Sequence, residues 1–325
     1  MILSEEAEAE GRLVQEPPPE ARKWTEEQIR EYYRSGGRLP SAAPPRASFP
    51  APDAATFSTW FPGLPLSRTA TESPRLRVLC FPNAGNAEDM YTSEGTGVRR
   101  APSPLLEWCR ANGAECLAVQ YPGRSLRSKE PFASSAAALA AQLVPVVASR
   151  LQDTPYVVVA HSLGTWVAYE FLAAARAQGL PAPRHASLSA LCAPDLPFDQ
   201  RPWRQQRLLD EEDFKEECRG WNVGEVVFSA AMWPVYQPLM RADFRLFDEY
   251  EFTREGEPPF EFPLHAYWGT RDPRIKQWMV QGWQRFTTGD FQCTSIEGNH
   301  LWPLEKQAKS EWLASIAADL STLPL

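Results

Sequence analysis

The sequence predicts an α/β fold: a mainly parallel sheet with helices on both faces and a helical insertion late in the chain. Two observations carry this. From about residue 75 onward, short apolar runs alternate with helix-length segments, the pattern of strands buried on both faces and joined by crossover helices. The alternation breaks once, between Pro194 and Pro263, where helical patterns stand without a strand.

In order, the strands are expected at 75–81 (RLRVLCF), 115–121 (ECLAVQY), 156–160 (YVVVA), 186–193 (ASLSALCA), 264–268 (LHAYW) and 291–296 (FQCTSI). The first two end at Pro82 and Pro122, which cannot donate to a ladder. Helices are expected at 103–111, 135–151, 165–178, 273–286 and 305–320, with Pro145 kinking the second. Inside the interruption, 209–218 and 235–250 read as helices, the latter with Leu239, Asp243, Phe247 and Tyr250 at helix-face spacing. Ligand sites of parallel sheets form beyond the carboxyl ends of the strands. An insertion there, over 195–260, is expected to form a lid. Its Trp203, Trp221, Phe228, Trp233 and Tyr236 either line an apolar cavity or fasten the lid to the body.

Residues 1–55 are expected to be a mostly disordered extension, acidic and proline-rich, with one short helix at 24–34; the folded domain is expected over 56–325. The first twenty residues hold six glutamates and one arginine, which fits neither a secretory signal nor a mitochondrial transit peptide. Hydrophobic residues at 43% and twelve tryptophans suffice for a large core. A net charge of −8 argues against a nucleic-acid binder, and no apolar run approaches the roughly 20 residues of a membrane span. Six scattered cysteines without a C-x-x-C pair indicate neither a metal site nor a disulfide framework, so a reducing, cytoplasmic setting is expected.

The chemistry is expected at three strand ends. AHSLG (160–164) follows a strand and precedes a helix, as a G-x-S-x-G nucleophile elbow does, with alanine for the first glycine. Such a turn strains the serine backbone, admits only small neighbours, and aims the N–H of Leu163 at the reacting carbonyl. Ser162 is the expected nucleophile. Of four histidines, His161 lies inside the elbow, His185 precedes a strand and His265 lies within one, leaving His300 after the last strand as the base. Asp272, in GTRDP after the fifth strand, is the expected acid; it also suits a helix N-cap ahead of Pro273. The chain order Ser, Asp, His is that of α/β-hydrolases. A second oxyanion donor is expected in PNAGN (82–86), at the N–H of Ala84.

With these residues assembled, the chain resembles the type II thioesterases, free-standing α/β-hydrolases of polyketide, nonribosomal-peptide and fatty-acid synthesis. The likeness spans about residues 59–320 and rests on CFPNAGN (80–86), VQYPGR (119–124), AHSLGTWVAYE (160–170), LMRADFRLFDEY (239–250), GTRDPR (269–274) and GNHLWP (298–303). The resemblance implies the same triad of Ser162, Asp272 and His300, oxyanion donors at Ala84 and Leu163, and a helical lid. Departures cluster around the oxyanion loop: Asn83 where an aromatic or histidine is usual, Asn86 and Ala160 for glycines, and Leu163 for methionine.

The resemblance implies hydrolysis of acyl thioesters on the phosphopantetheine arm of an acyl or peptidyl carrier protein, with no cofactor. Carrier proteins are acidic, as is this chain, so docking would require a local basic patch, for which Arg124, Arg127 and Lys129 are candidates. Two other readings stand beside this one: an oxygen-ester hydrolase of the carboxylesterase or lipase kind, and a non-catalytic relic that binds an acyl chain or a partner.

Overall fold

The computed structural model describes residues 49–67, 73–94 and 101–324, with isolated positions at 21, 29, 30 and 32. The chain divides into two compact units, 1–48 and 49–325. Most of the expected extension, including most of the helix at 24–34, lies outside the described residues. The second unit takes in Phe49 and the helix α1 (Ala54–Trp60), capped by Asp53, so it begins ahead of the expected boundary at 56.

Six strands form its main sheet: β1 (Leu76–Phe81), β2 (Ala114–Ala118), β3 (Tyr156–His161), β4 (Ala186–Ser189), β5 (Leu264–Gly269) and β6 (Phe291–Ile296). Their order is β2-β1-β3-β4-β5-β6, and every neighbouring pair is parallel. Around them run α2 (Pro104–Ala111), α3 (Ala136–Asp153), α4 (Leu163–Ala177), α5 (Glu211–Gly220), α6 (Trp233–Asp248), α7 (Gln277–Gln281) and α8 (Lys306–Ser321). This is the α/β-hydrolase architecture.

Side-chain alternation divides the strand residues between two cores. Leu79 and Phe81 of β1 pack into one with α1, α3, α4 and the insertion. Leu76, Val78 and Cys80 pack into the other with α2 and α8. Both faces are thereby covered, which is why these strands read as unbroken apolar runs.

Three elements differ from expectation. The fourth strand stops at Ser189 because Ala190, at φ 60°, turns the chain out of the ladder. The helix expected at 273–286 starts only at Gln277. Asp272 does not cap it; its carboxylate instead accepts the N–H groups of Arg274 and Ile275 in a tight turn. β2 stops at Ala118, short of the expected Tyr121, where the Gln120 N–H turns to the Trp60 carbonyl; α3 runs from Ala136 to Asp153 with Pro145 inside it. Between β4 and β5 the chain forms the two expected helices α5 and α6, each ending within about two residues of its expected limits. Among the described residues no helix is long and apolar enough to cross a membrane.

Candidate active site

β3 delivers Ser162 to the rim of the sheet with φ 52° and ψ −129°, a conformation that side-chain-bearing residues seldom adopt. The turn is held from both sides: the Ser162 N–H donates to the Ser189 carbonyl at 2.7 Å, and the Ser162 carbonyl accepts the Thr165 hydroxyl at 2.8 Å. Gly164 explains the second glycine of the elbow. A Cβ there would lie 2.2 Å from the Phe81 carbonyl oxygen and 2.8 Å from that of Pro82, so only glycine lets α4 start against the loop after β1. Ala160, in place of the first glycine, is fully buried and fits beside Phe81 of β1.

His300, from the loop after β6, places Nε2 2.8 Å from Ser162 Oγ. Its Nδ1 lies 2.7 Å from Asp272 Oδ2, on the turn after β5. The three side chains, His300 lying 138 residues from Ser162 and 28 from Asp272, thus form one hydrogen-bonded chain. A carboxylate can only accept, so Nδ1 carries the proton and Nε2 is free to accept the Ser162 hydroxyl. Burial alone would raise the Asp272 carboxyl; the adjoining His300 ring and the N–H groups of Ile275 and Arg274 outweigh it and hold the group below the ordinary carboxylate value. Asp272 therefore stays ionised.

The histidine set aside as a base has another position. His161 packs among Trp302, Trp312 and the His300 ring, with its Nε2 2.9 Å from the His300 carbonyl oxygen. Burial pushes its pKa down to about 3, so the ring is neutral, and its Nε2–H is the donor. Two residues of the insertion act on the same loop. Asn222 Oδ1 accepts the His300 N–H at 3.0 Å, and the Trp221 ring meets the imidazole edge-on with centroids 4.6 Å apart. None of these three was legible as a site residue, because each touches His300 only through the fold.

The loop 82–86 runs beside the start of α4. Tyr91 donates to the Phe81 carbonyl at 2.8 Å and Tyr121 to the Pro82 carbonyl at 3.1 Å. Asn83 donates from its amide to the Ala84 carbonyl at 2.9 Å, and Gly85, at φ 76°, donates its N–H to Asp243 of α6 at 2.8 Å. Leu163 is the first residue of α4, whose leading N–H groups have no intrahelical acceptor to reach. The expected donors Ala84 and Leu163 thus lie on the two segments that Gly164 brings into contact.

The expected basic patch is not on the surface as a unit. Arg124 is buried, pairing Nη1 and Nη2 with Asp243 at 2.8 and 2.5 Å and donating from Nη1 to the Asn86 carbonyl at 3.0 Å. Arg127 is buried too, paired with Glu130 and seated 3.8 Å over the Trp60 ring. Their charges are spent inside the protein, and of the three only Lys129 is exposed. Of the insertion's aromatic residues, Trp203 meets Trp166 and Trp221 in tilted ring contacts, and Phe228 and Trp233 pack together against α5. They fasten the insertion to itself and to the body, while Trp221 alone of the five reaches the His300 ring.

Comparison with known proteins gives a consistent picture. Residues 77–320 match the family described as a thioesterase domain. The gramicidin S biosynthesis protein GrsT of Aneurinibacillus migulanus is 26% identical over 255 residues, 76% of this chain and 89% of that protein. Thioesterase PikA5 of Streptomyces venezuelae is 27% identical over 229 residues, covering 70% of this chain and 75% of that protein. Among solved structures, the RedJ thioesterase from the prodiginine pathway of Streptomyces coelicolor superposes with a TM-score of 0.65 at 26% identity, covering 87% of this chain and 96% of its own. The type II thioesterase BorB from the borrelidin cluster gives 0.63 at 28% identity, covering 78% and 95%.

Proposed function

The chain belongs to the thioesterase family, and from that premise we propose that Ser162, His300 and Asp272 hydrolyse acyl thioesters borne on the phosphopantetheine arm of a carrier protein in polyketide or nonribosomal-peptide assembly. The observation that supports it most is the relay from Ser162 Oγ through His300 to Asp272, at 2.8 and 2.7 Å.

In this reading His300 Nε2 takes the Ser162 proton as Oγ attacks the thioester carbonyl. Asp272, held ionised, stabilises the imidazolium and fixes its tautomer. The tetrahedral oxyanion is received by the N–H groups of Ala84 and Leu163, each such donor being worth about 10²–10³ in kcat. Collapse breaks the C–S bond, and the thiolate leaves with the proton from His300. A water then gives its proton to His300, attacks the acyl-serine and releases the acid, returning the proton to Ser162. The insertion over 195–260, whose Trp221 and Asn222 touch His300, serves as the lid of this site.

The test compares hydrolysis of an acyl-N-acetylcysteamine thioester, an acyl carrier protein thioester and a p-nitrophenyl ester by the wild type and Ser162→Ala. The reading requires thioesters to be preferred and Ser162→Ala to lose at least about 10³ in kcat. Preference for the oxygen ester would replace it with an esterase, and undiminished turnover in Ser162→Ala would remove the mechanism.

A further inference from the structure

Asp243 of α6 is 1% exposed, and both its oxygens are engaged by the body of the protein. Oδ2 accepts the Gly85 N–H and an Arg124 Nη1–H, each at 2.8 Å, and Oδ1 accepts Arg124 Nη2–H at 2.5 Å. Arg124 in turn donates to the Asn86 carbonyl at 3.0 Å. The peptide that follows Ala84 is therefore fixed at both ends, its oxygen by the Asn83 amide and its N–H by Asp243. One turn earlier on α6, Met240 covers the same loop, with its sulfur 2.7 Å from where a Gly85 Cβ would stand.

We propose that Asp243 is a positioning residue that completes the oxyanion hole, and that it makes this hole conditional on the insertion being seated. The inference rests on the reading above, that the Ala84 N–H receives the oxyanion. Its physical basis is where each partner belongs. Gly85, Asn86 and Arg124 are parts of the sheet body, whereas Asp243 lies on the insertion, 158 residues from Gly85 and 119 from Arg124. Lifting α6 to admit an acyl chain removes the acceptor from the Gly85 N–H and leaves the guanidinium unpaired, so the loop relaxes. Reseating α6 restores both contacts and excludes water in the same movement. Substrate entry and oxyanion stabilisation then belong to different positions of one helix.

The test measures kcat and KM on hexanoyl-N-acetylcysteamine, and Ki for a hexanoyl-chain trifluoromethyl ketone, whose serine adduct places an oxyanion in the same hole. Asp243→Ala is expected to lower kcat about 10–100-fold with KM within about threefold, since misplacing one donor forfeits part of its 10²–10³. Asp243→Asn keeps an acceptor for Gly85 but loses the charge pair, so its loss is smaller. In both, Ki rises by the factor by which kcat/KM falls, a proportionality that general loosening does not produce. Glu115→Gln is the control. Glu115 of β2 accepts from Arg77 Nε of β1 at 3.0 Å, outside the insertion, so it is expected to lower Tm with kcat and Ki within about threefold. If Asp243→Ala matches wild type in kcat and Ki while Ser162→Ala is inactive, the positioning role is overturned and the triad stands. Retained activity in Ser162→Ala overturns the underlying reading instead. Should Asp243→Ala not fold, Asp243→Asn and Arg124→Lys carry the same comparison.

Discussion

The Nε2–H of His161 donates to the carbonyl oxygen of His300 at 2.9 Å, so the residue before Ser162 supports the residue whose imidazole meets the Ser162 hydroxyl. The elbow therefore holds His300 as well as Ser162. His161→Phe keeps the ring among Trp302 and Trp312 but leaves the buried His300 carbonyl without this donor, an omission worth roughly 1–3 kcal/mol. The expected outcome is a several-fold lower kcat and a Tm lower by several degrees. Because burial keeps His161 neutral, with a pKa of about 3, the shape of the pH–rate profile above pH 6 is expected to be unchanged.

Gly164→Ala is expected to be worse than its single methyl suggests. The new Cβ would stand 2.2 Å from the Phe81 carbonyl oxygen, a backbone atom that cannot swing away. Either α4 or the loop at 82–86 must move, separating the segments that carry Leu163 and Ala84. A tenfold or greater loss of kcat on a soluble thioester, with a lower Tm, is the expected measurement; wild-type kcat would mean the two segments move independently of the chemistry.

Asn222 permits a cleaner separation of bond from backbone. It sits at φ 63° and holds the His300 N–H. Asn222→Gly removes the acceptor while keeping the conformation accessible, and Asn222→Ala removes the acceptor and adds left-handed strain of about 1–2 kcal/mol. Both are expected to lose kcat to a similar extent, whereas thermal melts should rank wild type above Gly and Gly above Ala.

Asp248, at the end of α6, gives a pH dependence with a definite sign. Burial pushes its carboxyl up to about 7, while the Gln206 N–H accepted by Oδ2 only partly offsets this, and Oδ1 has no partner. The folded state therefore holds a proton that the unfolded chain, with an ordinary carboxyl near 4, has released. Asp248 then contributes progressively less stability as pH rises from about 4 to about 7. Asp248→Asn removes the ionisation, so its Tm relative to wild type is expected to be more favourable at pH 8 than at pH 5. Equal Tm differences at both pH values would refute the assignment.

The strands and the elbow were legible because their signal is local. Val78 and Leu79 face opposite cores, and both had to be apolar, so the run 75–81 declared a doubly covered strand without its neighbours being known. His300 and Asp272 were found by a topological rule, chain order at strand ends, and their distances agree with it. The same local reading misplaced the start of the helix after Asp272, since a helix cap and a carboxylate that holds a tight turn ask for the same residue. It also placed Arg124 and Arg127 on the surface.

The burial of Arg124 and Arg127 marks the boundary. Periodicity, and motifs within a few adjoining residues, suffice for the sheet, the position of the strained serine and the family. That Arg124 meets Asp243 rather than solvent, that Asp243 holds the Gly85 N–H, and that His161 and Asn222 hold His300 follow from the packed fold alone. A side chain's charge and hydrogen-bonding capacity are intrinsic to it. Its partner is set by which surfaces the packed core brings together across a hundred residues of chain.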